Sequence, residues 1–221
     1  MKFDTSEHYQ MNTTTNYKSP FLIYREFSSP LLCENIIESL NLTVPDTDTE
    51  GKPIPFIKQD DYMEAIIFER FDVLRPQIIK YYGIEARGTE RMTFEWYPTG
   101  AESALICDNS VYVREKWLRT RDRDLTAVLF LCNYQETTPF SDDFEVCGGK
   151  LEFPQWGFGF NPERGTLIVY PSDPHFINKT ALIQAGELYQ VRFHIAATTP
   201  YLFNPDNFPG NYQIWFKDLL E

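Results

Sequence analysis

Over the first eighty or so residues the apolar positions recur at helical spacing. Ser29-Pro30 offers a capping hydroxyl followed by a proline at the first helical position, and Leu32, Ile36, Ile37 and Leu40 then fall on one stripe. A helix over residues 30–41 is expected. A longer helix is expected over residues 60–82, with Met63, Ile66, Ile67, Phe71, Leu74 and Ile78 on its core face and Pro76 marking a kink or a second segment. Ahead of the first helix, Ser19-Pro-Phe-Leu-Ile-Tyr24 reads as a strand, and residues 43–55 carry loop chemistry. After Gly83 the period shortens. Runs broken by Gly and Pro predict strands at 91–97, 104–108, 125–133, 149–153, 165–170 and 188–196. Helices followed by six or more strands define an α+β chain whose helices pack outside a β sandwich or barrel.

Composition adds bounds. The 221 residues are 43% hydrophobic and 16% aromatic, enough for one sizeable core without a second domain. Residues 1–19, polar and rich in Thr and Asn, read as a loose arm carrying His8. The domain proper spans 20–196. Residues 197–221 form a Pro-rich aromatic extension, expected to drape over the barrel or to make a homo-oligomer contact. With no charged-then-apolar leader and no bilayer-length apolar run, a soluble cytoplasmic protein with no membrane partner is expected. The four cysteines form no CxxC pair and read as reduced packing residues, and the Asn-x-Thr triplets at Asn12, Asn41 and Asn178 read as chance. A net charge of −12 disfavours generic nucleic-acid binding. Arg119, Arg121 and Arg123 alternate with Asp122 and Asp124, the pattern of a solvated, self-paired loop.

Candidate chemistry concentrates between Gly148 and His194. Gly165-Thr-Leu-Ile-Val-Tyr-Pro-Ser-Asp-Pro-His175 reads as a turn, a buried strand and a histidine at the strand's end. On the next strand Leu188, Gln190, Arg192 and His194 share one face, and Tyr189, Val191, Phe193 and Ile195 share the apolar other. An arginine facing the barrel needs an anionic partner, and a bound carboxylate is the expected one, ahead of an internal salt bridge. Gly148-Gly-Lys150 lacks the earlier glycine of a phosphate loop, and no GxSxG, HExxH or paired CxxC motif is present.

The order of parts resembles the iron(II)/2-oxoglutarate-dependent oxygenases of the prolyl 4-hydroxylase type over roughly residues 20–196. The resemblance is carried by Pro20-Phe-Leu-Ile-Tyr-Arg-Glu-Phe, Trp96-Tyr-Pro-Thr-Gly100, Asp108-Asn109, Thr126 to Asn133, Cys147-Gly-Gly-Lys-Leu-Glu-Phe153, and Pro162-Glu-Arg-Gly165 to His175. It implies a double-stranded β-helix, an iron(II) held by two histidines and a carboxylate, and 2-oxoglutarate as co-substrate. Carried over residue by residue, it makes Asp108 and His175 metal ligands and Tyr97 a co-substrate contact. Two positions depart from the pattern. Ile106 stands where the first histidine of His-x-Asp belongs, and Leu188 stands where the carboxylate-anchoring cation belongs. The other histidines are His8 and His194, and Arg192 lies four residues past the anchor on the same strand face. The expectation is that Asp108, His175 and Arg192 line one cavity with Tyr97 on its wall. Two functions follow: a divergent dioxygenase hydroxylating a peptide or small molecule, or a catalytically silent binding or partner protein on the same fold.

Overall fold

A computed structural model describes residues 18–40, 46–140, 142 and 144–208. His8, Asn12, Asn41 and the aromatics Tyr212, Trp215 and Phe216 lie outside the described residues. In chain order the elements are β1 (Leu22–Tyr24), α1 (Pro30–Leu40), β2 (Phe56–Lys58), α2 (Asp61–Tyr82), β3 (Ala86–Thr89), β4 (Thr93–Tyr97), β5 (Ser110–Val113) and β6 (Lys116–Arg119). There follow β7 (Leu125–Phe130), β8 (Asn133–Tyr134), β9 (Glu145–Gly148), β10 (Leu151–Phe153), β11 (Phe158–Phe160), β12 (Leu167–Pro171), β13 (Lys179–Thr180), β14 (Ile183–Gly186) and β15 (Leu188–Ala197). The main sheet runs β1-β12-β7-β15-β4-β2, with β3 also on β15, and the smaller sheets β14-β9-β8 and β11-β10-β13 accompany it. The fold is a double-stranded β-helix with its helices on the outside.

The central strand of the main sheet is β15, every residue of which is buried. It pairs antiparallel with β7, with Arg192 opposite Val128 and His194 opposite Thr126, and with β4, with Gln190 opposite Glu95. Its two faces divide as the sequence alternation requires. Phe193 meets Phe71 of α2 edge-on at 4.8 Å, whereas Gln190, Arg192 and His194 make polar contacts on the inner side. Helix α2 is capped by the Asp60 side chain accepting from the Met63 amide and ends at Gly83 in the left-handed region. It runs through Pro76 without interruption. An internal proline costs about 3 kcal/mol. Burial of Phe71, Leu74, Ile78 and Tyr82, at roughly 1.5–3 kcal/mol for each large apolar side chain, outweighs it.

Gly165 fastens the N-terminal segment to the sheet. Its φ is +81°, and a Cβ there would lie 2.1 Å from the Ser28 carbonyl oxygen. The Ser28 amide donates to the Gly165 carbonyl at 3.1 Å beside the β1–β12 pairing. The extension after β15 folds back over the barrel as far as it is described. The Asp124 carboxylate accepts the amides of Ala197 and Tyr201 at 2.8 and 2.6 Å, Asp173 accepts that of Phe203 at 2.6 Å, and Tyr201, Phe203 and Phe208 are buried.

Two stretches differ from expectation. Residues 104–108 form no strand: Ile106 makes an isolated bridge to Asn178, with amide-to-carbonyl bonds of 2.9 and 2.8 Å. Residues 110–119, unassigned by pattern, form the hairpin β5–β6, whose turn residues Arg114 and Glu115 both have positive φ (50° and 62°). The sequence shows no Asn-Gly or Asp-Gly there, so the usual hairpin signal is missing.

Candidate functional site

The inner faces of β4 and β15 converge on one guanidinium. Arg192 is buried, with its Nε 3.3 Å from Glu95 Oε1 and its Nη1 3.5 Å from Asp108 Oδ1. Nη1 also lies 3.1 Å from the Tyr170 hydroxyl and 3.3 Å from Asn178 Oδ1. Burial works against the charge of Arg192, but Tyr170, Glu95 and Asp108 more than offset it, so its pKa is raised rather than lowered. Glu95 accepts from Gln190 Nε2 at 2.6 Å and from the Tyr97 hydroxyl at 3.1 Å. Burial, helped by Glu95, raises the Tyr97 phenol above its ordinary range, so it remains a protonated donor. Asp108 accepts from Asn178 Nδ2 at 2.9 Å. Arg192 is thus held by internal ion pairs to Glu95, which β4 places opposite Gln190 one inward-facing position along, and to Asp108.

Asp108, Tyr97, Arg192 and Glu95 line one cavity of 730 Å³, which also reaches His194. A second cavity of the same volume shares Ile106, Asp108, Arg121 and Arg123 with it. His175 lines neither. Its imidazole is half exposed, with Nδ1 2.8 Å from Asp173 Oδ1 and the ring 5.4 Å from that of Phe203. The reason is local. Pro174–Phe176 form a single 3-10 turn that Asp173 caps, and this turn aims the histidine outward, toward the folded-back extension. Of the expected set, Asp108, Arg192 and Tyr97 line this cavity together and His175 is not among its lining residues.

The residue the fold sets opposite Ile106 and Asp108 is Asn178. It bridges Ile106 through the backbone and Asp108 through its side chain, and it is wholly buried. The donors facing one another are thus an isoleucine, a carboxylate already bonded to Asn178 and Arg192, and a neutral amide. This set does not fit an iron(II) centre of two imidazoles and a carboxylate. Among the described residues no group of three His, Cys, Asp or Glu side chains is placed to hold a metal ion. Glu95 and Asn178 are the partners of this network that the sequence reading does not single out as site residues. Strand parity places Glu95 on the face of Tyr97, and the Asn-x-Thr triplet at Asn178 was visible, but neither matches a ligand pattern.

His194 is buried, with Nδ1 3.2 Å from Thr126 Oγ1, which in turn lies 2.7 Å from Ser172 Oγ. Burial first, with Arg123 and Arg192 acting in the same direction, pulls its pKa down to about 4 against the opposing pull of Asp108 and Glu90, so it is neutral near pH 7.

The architecture is that of the prolyl hydroxylases. The chain is similar to the viral collagen prolyl hydroxylase of Paramecium bursaria Chlorella virus 1 in its 2-oxoglutarate complex, with a TM-score of 0.61 and 15% identity over 80% of this chain and 96% of that one. A Pseudomonas putida prolyl-4-hydroxylase aligns with a TM-score of 0.57 and 18% identity over 82% and 95% of the two chains. A Trichoplax adhaerens prolyl hydroxylase, in complex with a peptide of hypoxia inducible factor, gives 0.53 and 17% over 81% and 84%. At these identities the likeness establishes the shared fold. No family model and no curated protein sequence matches the chain. Among the described residues no helix is long and apolar enough to cross a membrane.

Proposed function

We propose that this protein is an oxygenase-fold binding module in which a fixed ion network stands where the fold's relatives would do metal chemistry. The observation that carries this reading is the Arg192 guanidinium between Glu95 and Asp108. Arg192 supplies the cation that neutralises Asp108, and Glu95 supplies the carboxylate that an anchoring cation would otherwise draw from a co-substrate. Each role implied for iron(II) and 2-oxoglutarate is taken by a side chain of this chain. The cleft that remains beside Ile106 is then a binding surface for a peptide or a small molecule.

A divergent iron(II)/2-oxoglutarate hydroxylase is the second reading, favoured by the shared fold with prolyl hydroxylases, one of them in a 2-oxoglutarate complex. Anaerobic titration with iron(II), with and without 2-oxoglutarate, and measurement of 2-oxoglutarate turnover separate the two. The binding-module reading expects weak iron binding and no turnover. Ile106→His alone is expected to leave iron binding weak, because Asn178 and Arg192 still hold Asp108. Ile106→His with Asn178→His is expected to tighten it at least tenfold, since losing even an outer-shell partner costs roughly ten- to a hundredfold. Stoichiometric iron binding by the native chain, with turnover abolished by Asp108→Ala, would establish the hydroxylase.

A further inference from the structure

The two ends of the described chain meet on the last turn of α2. Tyr81 and Tyr82 lie there, and their hydroxyls donate to the Ser19 and Pro20 carbonyls of the incoming segment. The outgoing extension sets Tyr201 edge-on to Tyr82 at 5.9 Å, and it brings Phe208 to 6.5 Å from the ring of Tyr81 and 6.4 Å from that of Tyr82. Phe208 is buried and stacks on Phe203 at 5.4 Å.

Lys18 joins the two ends. Its Nζ lies 4.2 Å from the centroid of the Tyr81 ring and 5.0 Å from that of Phe208, and it donates to the Tyr81 carbonyl. Each contact selects for positive charge. The quadrupole of an aromatic face attracts an ammonium, and the last carbonyls of a helix lack intrahelical partners and carry the negative end of its dipole. Lys18 is half-buried, which leaves the amine within reach of a reagent. Burial also pulls its pKa down, and so raises the share of unprotonated, nucleophilic amine. The extension it touches is also fastened by Asp124 and Asp173. Asp124 holds Arg119 at the end of β6, and Asp173 caps the turn that bears His175, so the extension links Lys18 to both of these loops.

We propose that Lys18 is an acylation site whose charge latches the C-terminal extension onto α2, and that an acyl thioester opens the latch. The unprotonated amine attacks the thioester carbonyl, a C–N bond forms as the C–S bond breaks, and the amine proton leaves with the thiol. The product is a neutral amide, bulkier than the amine, which forfeits the attraction of both rings. The proposal is independent of any role for Asp108, and its test uses neither iron nor 2-oxoglutarate.

The full chain is incubated with acetyl-coenzyme A at mildly alkaline pH, folded and in urea, and acetylation is quantified by peptide mass spectrometry. In the folded chain Lys18 is expected to react at least about threefold faster than the exposed Lys52 and Lys116, a lead that disappears in urea. Hydrogen exchange then reads the latch itself. Lys18→Gln is expected to speed exchange over residues 199–208 at least about fivefold, Lys18→Arg to leave it native, and neither to alter β7 or β12. Phe208→Leu removes the ring and keeps apolar bulk, so adding Lys18→Gln to it should speed exchange there by less than about twofold more. The proposal is overturned if Lys18 reacts no faster than the exposed lysines, if glutamine leaves the extension as protected as in the native chain, or if arginine loosens it as much as glutamine. An equal effect of Lys18→Gln with and without the Phe208 ring would overturn it too, and that comparison holds even where glutamine also loosens the sheet.

Discussion

Replacing Arg192 by Met removes the guanidinium but keeps most of the side chain's bulk, and it leaves Glu95 and Asp108 buried with no cation. Their side chains are 6% and 1% exposed, so water cannot take over. Glu95 keeps Gln190 and Tyr97 as donors, and Asp108 keeps Asn178, which limits the loss to that of the charge partner itself. Removing one partner of a buried pair costs about 3–5 kcal/mol, a large fraction of the 5–15 kcal/mol that holds a typical domain folded. The deficit should depend on pH in a defined direction. Buried carboxyls without a counter-charge bind protons in the folded state that the unfolded chain has already released, so the variant's stability falls as pH rises and returns as pH is lowered. Each carboxyl contributes about 1.4 kcal/mol per pH unit, and the slope therefore counts how many are neutralised. Urea unfolding followed by tryptophan fluorescence, from about pH 8 to about pH 5, reads both quantities. Adding Glu95→Gln and Asp108→Asn to Arg192→Met should restore stability to within about 1 kcal/mol of the native chain and remove the slope. An Arg192→Met variant that loses under about 1 kcal/mol, equally at both ends of the range, would refute the ion-network account.

Two more outcomes are expected. His194 has a folded pKa near 4 against about 6.5 unfolded, so the unfolded chain takes the proton first as pH falls. The native chain should lose about 3 kcal/mol relative to His194→Gln between pH 6.5 and pH 4, as compared by urea midpoints, and parallel profiles would contradict it. Gly165→Ala should cost at least about 2 kcal/mol, because its φ is +81° and the new Cβ would meet the Ser28 oxygen at 2.1 Å. Gly157→Ala, with positive φ but open space, is the control and should cost clearly less; equal losses by thermal denaturation would contradict the clash.

What the sequence makes legible here is whatever follows from side-chain period. The stripe of α2 and the two faces of β15 were readable because helical and strand spacing decide which residues go inward, and Arg192 accordingly faces the interior. Motif matching was weaker than periodicity at the site. His175 fits the order of a hydroxylase pattern, but the three-residue turn at Pro174 shifts the facing position to Asn178, and short-range turn geometry is invisible to spacing counted along the chain. The Glu95–Arg192 contact spans nearly a hundred residues and depends on the pairing of β4 with β15, which no local pattern encodes. The hairpin turn at Arg114-Glu115 escaped for the opposite reason, since its residues are ones that hairpin turns disfavour.

The order of strands in the main sheet also sets a timetable for biosynthesis. Strands β4 and β7 both take β15 as a neighbour, and β15 is the last strand of the sheet to be made. Roughly one hundred residues separate β4 from the end of β15, which at about 5–20 residues per second leaves β4 waiting some 5–20 s on the ribosome with its edge toward β15 unpaired. Helix α2, complete by residue 82, is available to shield the apolar outer face early, but nothing emerging before residue 188 can pair the inner edge. Nascent chains halted between residues 97 and 188 are thus the forms of this protein most dependent on chaperones, and release beyond residue 197 is the point at which the sheet, and the ion network built across it, can close.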